Sequence, residues 1–192
     1  MNKAQLRNYF LEKRKHLLPE KCLDMNKKIA KNFSDFLKLK NKEINYLHIY
    51  FPILGKNEVD TALIIKHIQK NYPTIILVVS KSNFTNCSMQ HFEYTYSTIL
   101  IENNYGILEP ANGIEIPSEK IDMVIVPLVV IDKNGHRIGY GKGFYDHFLA
   151  ECKTSCLKIG LSFDEPIDSI PNDTYDIPLD ICITPSEITF FK

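Results

Sequence analysis

Apolar residues recur at helical spacing over the first forty positions. Leu6, Phe10 and Leu17 share one face of a segment spanning residues 2–17, with charged residues around them. Pro19 suits the first turn of a second helix, which carries Leu23, Ile29, Ala30, Phe33 and Leu37. The period then shortens. An extended run from Ile44 to Phe51 is closed by Pro52 and a turn at Gly55, and a helix follows over residues 59–71 with Val59, Leu63, Ile64 and Ile68. The β-branched stretch from Thr74 to Val79 has the continuous apolar character of a buried parallel strand.

Residues 82–118 mix short extended pieces, Met89–Tyr94 and Thr98–Ile101, with Gly and Pro punctuation. Ile121–Val126 predicts a second central strand, and Cys156–Ser162 and Ile181–Thr184 predict two more, with a short helix between residues 142 and 151. Strands alternating with helices predict an α/β fold: a three-layer sandwich around a mostly parallel sheet, expected as one domain over residues 1–192.

The segment from Pro127 to Asp146 changes the picture from architecture to chemistry. A buried strand leads through an Asn134-Gly135 turn to three alternating glycines, Gly139, Gly141 and Gly143, just before a helix. Glycines let backbone amides approach a phosphate closely and adopt positive φ, and the following helix N-terminus adds roughly half a positive charge. Arg137 and Lys142 flank the loop and can neutralise phosphate oxygens; Asp146, in the first helical turn, can hold a magnesium ion that bridges them. The spacing matches neither Gly-x4-Gly-Lys-Ser/Thr nor Gly-x-Gly-x-x-Gly, and Gly135 falls too early for a calcium loop that starts at Asp132. Spacing alone leaves two readings, a phosphate cradle and a hairpin followed by a bare turn.

Lys3, Arg7 and Arg14 fall within about 40° of one another on the first helix at ~100° per residue, which gives either an anion-facing stripe or a solvated face. Glu58, before a helix start, has a dipole role or a site role open to it. Asp173, Asp176 and Asp180 precede the last predicted strand, where caps and turns account for most aspartates. His136 and His147 flank the loop without ligand spacing.

The chain's 23 basic and 23 acidic residues cancel, so no global field favours nucleic acid or a membrane surface, and neither is an expected partner. Five scattered cysteines, Cys22, Cys87, Cys152, Cys156 and Cys182, form no Cys-x-x-Cys pair and read as reduced, mostly buried thiols. No signal peptide or membrane-spanning run is recognisable, so a cytoplasmic location is expected.

The run from Gly135 to Asp146 resembles the G-x-R-L-G-x-G-x-G-Y-Y-D signature of the 5-formyltetrahydrofolate cyclo-ligase family. The same order continues in Lys3-x3-Arg7, Glu58-Val59-Asp60-Thr61, Gly106–Pro110 and Asp176–Asp180. The resemblance implies ATP-dependent closure of a ring on a reduced folate, 5-formyltetrahydrofolate, with Mg2+ as cofactor and a monomer as the working form. It implies that Arg137, Lys142 and Tyr145 act in catalysis. Lys3, Arg7, Arg14, Arg137, Gly139, Gly141, Lys142, Gly143 and Tyr145 would contact ATP. Ile53, Glu58, Tyr140, Phe144 and Tyr145 would line the folate pocket, and Asp146 with Asp180 would hold the metal. Two positions depart from the pattern: Phe144 stands where a tyrosine is usual, and His147 where arginine is common. Two other classes stay open on the residues alone: an enzyme of sugar phosphates or acyl-CoA using Glu58 or Glu109, and a non-catalytic folate-binding protein.

Overall fold

The computed structural model describes residues 1–40, 43–53 and 55–191. Helix α1 (Lys3–Lys15) starts at Asn2, whose side chain accepts from the Gln5 amide while Gln5 returns a bond to the Asn2 amide; Lys13, Arg14 and Lys15 occupy its last turn, where the dipole favours cations. Helix α2 (Pro19–Lys40) turns Ile29, Phe33, Phe36 and Leu37 inward along one stripe. Leu23, placed in that helix by its spacing, faces outward instead.

Five strands form the parallel body of a seven-stranded sheet among the described residues: β1 (Tyr46–His48), β2 (Ile76–Asn83), β6 (Met123–Val126), β9 (Leu157–Leu161) and β10 (Ile181–Ile183). β3 (Ser88–Tyr94) and β11 (Ile188–Phe190) close the edges in antiparallel fashion, giving the order β11-β10-β9-β6-β1-β2-β3. The Thr74–Val79 run is therefore parallel on one side only. It enters the sheet at Ile76, pairs with β1, and continues to Asn83 along the antiparallel β3. The edge strand β11 carried no distinct signal, because three residues, Ile188, Thr189 and Phe190, are too few for a period.

Side-chain alternation sorts the strands' residues between the two faces. Leu47, Met123, Ile125, Ile159, Ile181 and Ile183 pack with α2 and α3 (Ala62–Asn71). Val78, Val124, Val126 and Cys182 pack on the other face with Phe148 and Leu149 of α4 (Phe144–Glu151). This is the expected three-layer α/β arrangement. Each fully buried large side chain in these layers contributes about 1.5–3 kcal/mol relative to exposure. The hairpin of β7 (Val130–Ile131) and β8 (Arg137–Ile138) forms a third cluster with Leu6 and Phe10 of α1. A separate hairpin, β4 (Leu100–Glu102) with β5 (Leu108–Pro110), accounts for the ambiguous middle of the chain. Of the cysteines only Cys156 and Cys182 are buried; all five are free thiols.

The order in which strands are added reverses about β1: the connection through α3 leads to β2 on one side, whereas β6, β9 and β10 follow on the other. Segments leaving the carboxyl ends of β1 and β6 diverge there, and such a divergence opens a crevice suited to a ligand.

Candidate active site

That crevice is a cavity of about 580 Å3. After β1 the chain contributes Tyr50, Ile53 and Glu58; after β6 it contributes the segment from Arg137 to Asp146; α1 contributes Lys3 and Arg7. All the predicted site residues line it except Arg14 and Asp180.

The glycine loop is built by an ordered turn. The buried Asp132 carboxylate accepts from the amides of Asn134, His136 and Ile170, which shapes the β7–β8 turn and leaves Asp132 engaged in the protein itself. Beyond β8 each glycine has its own reason. Gly141 has φ +87°, and an added Cβ would lie 3.1 Å from the Arg7 guanidinium, which passes under the loop and donates from Nε to the Gly139 carbonyl at 2.7 Å. Gly143 has φ +73° as the left-handed residue that starts α4, its carbonyl accepting from the Asp146 and His147 amides. Gly139 differs from both: its φ lies outside the left-handed region and a Cβ would meet no atom within 4 Å. The fold makes no demand for glycine there.

Charge is distributed along one wall. The Arg137 side chain is buried, donates from Nη1 to the Ile177 carbonyl at 2.5 Å, and pairs through Nη2 with Asp146 Oδ1 at 2.8 Å. Asp146 Oδ1 also accepts the Ile177 amide. Lys142 is exposed and makes no ion pair among the described residues. Lys3 bridges Asp173 and Asp176 at 2.6 and 2.5 Å. Burial opposes the charge on Lys3, but the two aspartates outweigh it and hold its pKa above the ordinary lysine value.

The rest of the lining is less polar. Glu58 is 7% exposed, and its carboxylate accepts the Ile53 amide at 2.5 Å. Burial pushes its pKa up, against the pull of that amide, Tyr140, Arg14 and Lys56. Burial, reinforced by the nearby Glu58 charge, raises the Tyr140 and Tyr145 phenols, so both stay protonated at neutral pH. Phe84 and Tyr105 stack with centroids 4.0 Å apart, and Phe144 meets Phe84 edge-on at 5.0 Å. The pattern of apolar residues did not reveal this aromatic cluster, because its members come from two separate turns and the start of α4. Nor did it reveal His48 and Ser80, 2.7 Å apart on the cavity floor, where burial lowers the His48 pKa well below the ordinary value.

Two predicted residues stand elsewhere. Arg14 is buried behind the wall, where Nη2 donates to the carbonyls of Leu128 and Val129. Asp180 opens β10 and accepts from the Lys158 amide and ammonium, both at 2.8 Å. Glu109, the alternative acid, is buried against the Ser82 amide and does not line the cavity.

Among the described residues no three His, Cys, Asp or Glu side chains converge as a metal cage. A magnesium ion bound through substrate phosphates needs only one or two protein carboxylates. Asp146 fits that need: it lines the cavity at the loop, and Oδ2 has no hydrogen-bond partner among the described residues.

The 5-formyltetrahydrofolate cyclo-ligase family profile matches residues 1–185. The chain is 30% identical to the 5-formyltetrahydrofolate cyclo-ligase of Mycoplasma genitalium, over 95% of this chain and 98% of that one. The NMR structure of Aquifex aeolicus 5,10-methenyltetrahydrofolate synthetase superposes with a TM-score of 0.83 and 28% identity, covering 100% of this chain and 94% of that one. The 5,10-methenyltetrahydrofolate synthetase of Mycoplasma pneumoniae gives 0.77 and 26%, covering 96% and 99%. With a profile match spanning nearly its whole length and the loop, basic helix and buried acid gathered on one cavity, this chain belongs to the 5-formyltetrahydrofolate cyclo-ligase family.

Proposed function

We propose that this protein converts 5-formyltetrahydrofolate and ATP into 5,10-methenyltetrahydrofolate, ADP and phosphate in the cavity between the glycine loop and Glu58. The observation that supports this most directly is the make-up of one cavity: cations with a glycine loop, and a buried carboxylate with aromatic rings. The first suits a triphosphate, the second a pteridine.

In the reaction the formyl oxygen attacks the γ-phosphorus as ADP leaves. N10 then adds to the activated carbon and loses its proton, and phosphate departs with the former formyl oxygen. Positioning and charge neutralisation dominate such a transfer. Lys3, Arg7 and Lys142 neutralise phosphate oxygens, amides of residues 139–143 wrap them, and Arg137 holds Asp146 in place. A magnesium ion, held by Asp146 and phosphate oxygens, would supply further neutralisation. Glu58 faces the folate with Ile53, Tyr140, Phe144 and Tyr145, and accepts the proton released at N10.

The test is turnover of purified protein with ATP, magnesium and 5-formyltetrahydrofolate, followed by the near-ultraviolet absorbance of the methenyl product. A rise that requires ATP is expected; no rise at saturating ATP would overturn the proposal. No helix among the described residues is long and apolar enough to cross a membrane.

A further inference from the structure

Two buried polar atoms behind the Glu58 wall lack the partners their chemistry calls for. Arg14 spends Nη2 on two carbonyls, yet Nη1 has no hydrogen-bond partner and no solvent contact. The Tyr140 hydroxyl is equally enclosed and equally unpartnered. Unpaired buried donors cost stability, so their persistence asks for an explanation in function. Arg14 sits on α1, Tyr140 in the glycine loop with its ring packed against the α1 and hairpin cluster, and Glu58 after β1. The charges of Glu58 and Arg14 both act on this phenol, in opposite senses.

A second link joins Arg14 to Glu58 through the main chain. The Arg14 carbonyl accepts from Asn57 Nδ2 at 3.1 Å. Asn57 adopts φ +46°, a left-handed conformation that few residues other than glycine tolerate, and it is the residue that delivers Glu58 to the cavity. The same arginine thus anchors the turn before Glu58 by its backbone and keeps one buried guanidinium nitrogen unused.

We propose that Arg14 is a positioning residue which, acting through the Tyr140 hydroxyl, holds the Glu58 carboxylate ionised and oriented to accept the N10 proton. This rests on the proton-accepting assignment of Glu58 made above. In the folate-bound enzyme Arg14 Nη1 donates to the phenol oxygen, and the phenol donates to the carboxylate. The groups facing Glu58 are the Ile53 amide and Lys56 from its own segment, Tyr50 beyond β1, Tyr140 from the loop, Arg14 from α1 and Tyr145 from α4. Burial favours the protonated acid, and the positive charge of Arg14 opposes it. Loss of that charge must therefore raise the pH needed to ionise Glu58.

The experiment compares pH profiles of kcat/KM for folate, and KM for ATP, in wild type, Arg14→Met, Arg14→Lys and Tyr140→Phe. Arg14→Met and Tyr140→Phe should each move the acidic limb to higher pH by on the order of one pH unit. KM for ATP should hold, and Arg14→Lys should restore most of the limb. Should Arg14→Met fail to fold for want of its bonds to Leu128 and Val129, Tyr140→Phe decides, since it leaves those bonds intact. An unmoved limb overturns the proposal, as does a raised KM for ATP in Arg14→Met with the limb in place, which would mark a phosphate contact. A shift in Arg14→Met without one in Tyr140→Phe overturns the relay. Glu58→Gln is the separate control: near wild-type turnover there would refute the proton-acceptor assignment itself, whatever the other variants show.

Discussion

Gly139→Ala separates what the loop needs to fold from what it needs to bind. Gly139 lies outside the left-handed region and an alanine Cβ would meet nothing within 4 Å, while its carbonyl bond from Arg7 needs no side chain. Replacing glycine by alanine at a compatible conformation stabilises by about 0.4–1 kcal/mol through the unfolded chain. In a protein of this size that raises Tm by roughly 1–4 °C. The added methyl projects from a residue that lines the cavity, where an amide is proposed to meet a phosphate. Loss of one hydrogen bond to a charged oxygen costs about 1.5–3 kcal/mol, so KM for ATP should rise about ten- to a hundredfold. Gly143→Ala is the contrasting control: at φ +73° it carries about 1–2 kcal/mol of backbone strain and should lower Tm. Thermal melts without ligand and initial rates against ATP concentration read both effects. A Gly139→Ala protein with raised or equal Tm and wild-type KM for ATP would refute close approach of phosphate at this residue.

Asp146→Asn should keep its fold, because both the Arg137 and Ile177 bonds go to one oxygen that the amide retains; turnover should fall by about 10²–10³-fold, measured across a magnesium titration. Gly160→Ala should destabilise by about 1–3 kcal/mol in thermal or urea unfolding, since its Cβ would lie 2.6 Å from Leu128 Cδ2 and 2.7 Å from Leu179 Cδ1. Asp122→Asn tests acid stability. Burial is the largest influence on Asp122 and raises its pKa, but Lys153 and the Tyr46 and Asn45 amides together outweigh it and leave the value lowered. A lowered carboxylate contributes stability above its unfolded-state pKa and loses it as pH falls through the folded value. The variant should therefore be less stable than wild type at neutral pH, by about 1–3 kcal/mol, and the two unfolding curves should converge in acid.

Local order was already written in the residue pattern. The periods of α1 and α2 follow from i, i+3 and i+4 contacts, and the buried strands from runs of branched apolar residues, all set within a dozen positions. The glycine loop was equally legible, since Gly141 and Gly143 satisfy a backbone requirement that belongs to their own φ angles. Helix geometry put Lys3 and Arg7 on one stripe, and the family resemblance put that stripe beside the loop, where both line the cavity.

What the pattern could not hold is the distance between residues far apart in the chain. Arg14 shares the stripe of Lys3 and Arg7, yet the axis of α1 carries it past the loop and against the Leu128 and Val129 carbonyls. Asp173, Asp176 and Asp180 looked alike as turn aspartates; only the packed fold turns the first two onto Lys3 and the third onto Lys158. Glu58 was an acid before a helix until the divergence of β1 and β6 enclosed it. Spacing along a chain determines which groups can face one way together. What they face, and with what pKa, is decided by desolvation and Coulomb interactions with partners that tertiary packing brings near.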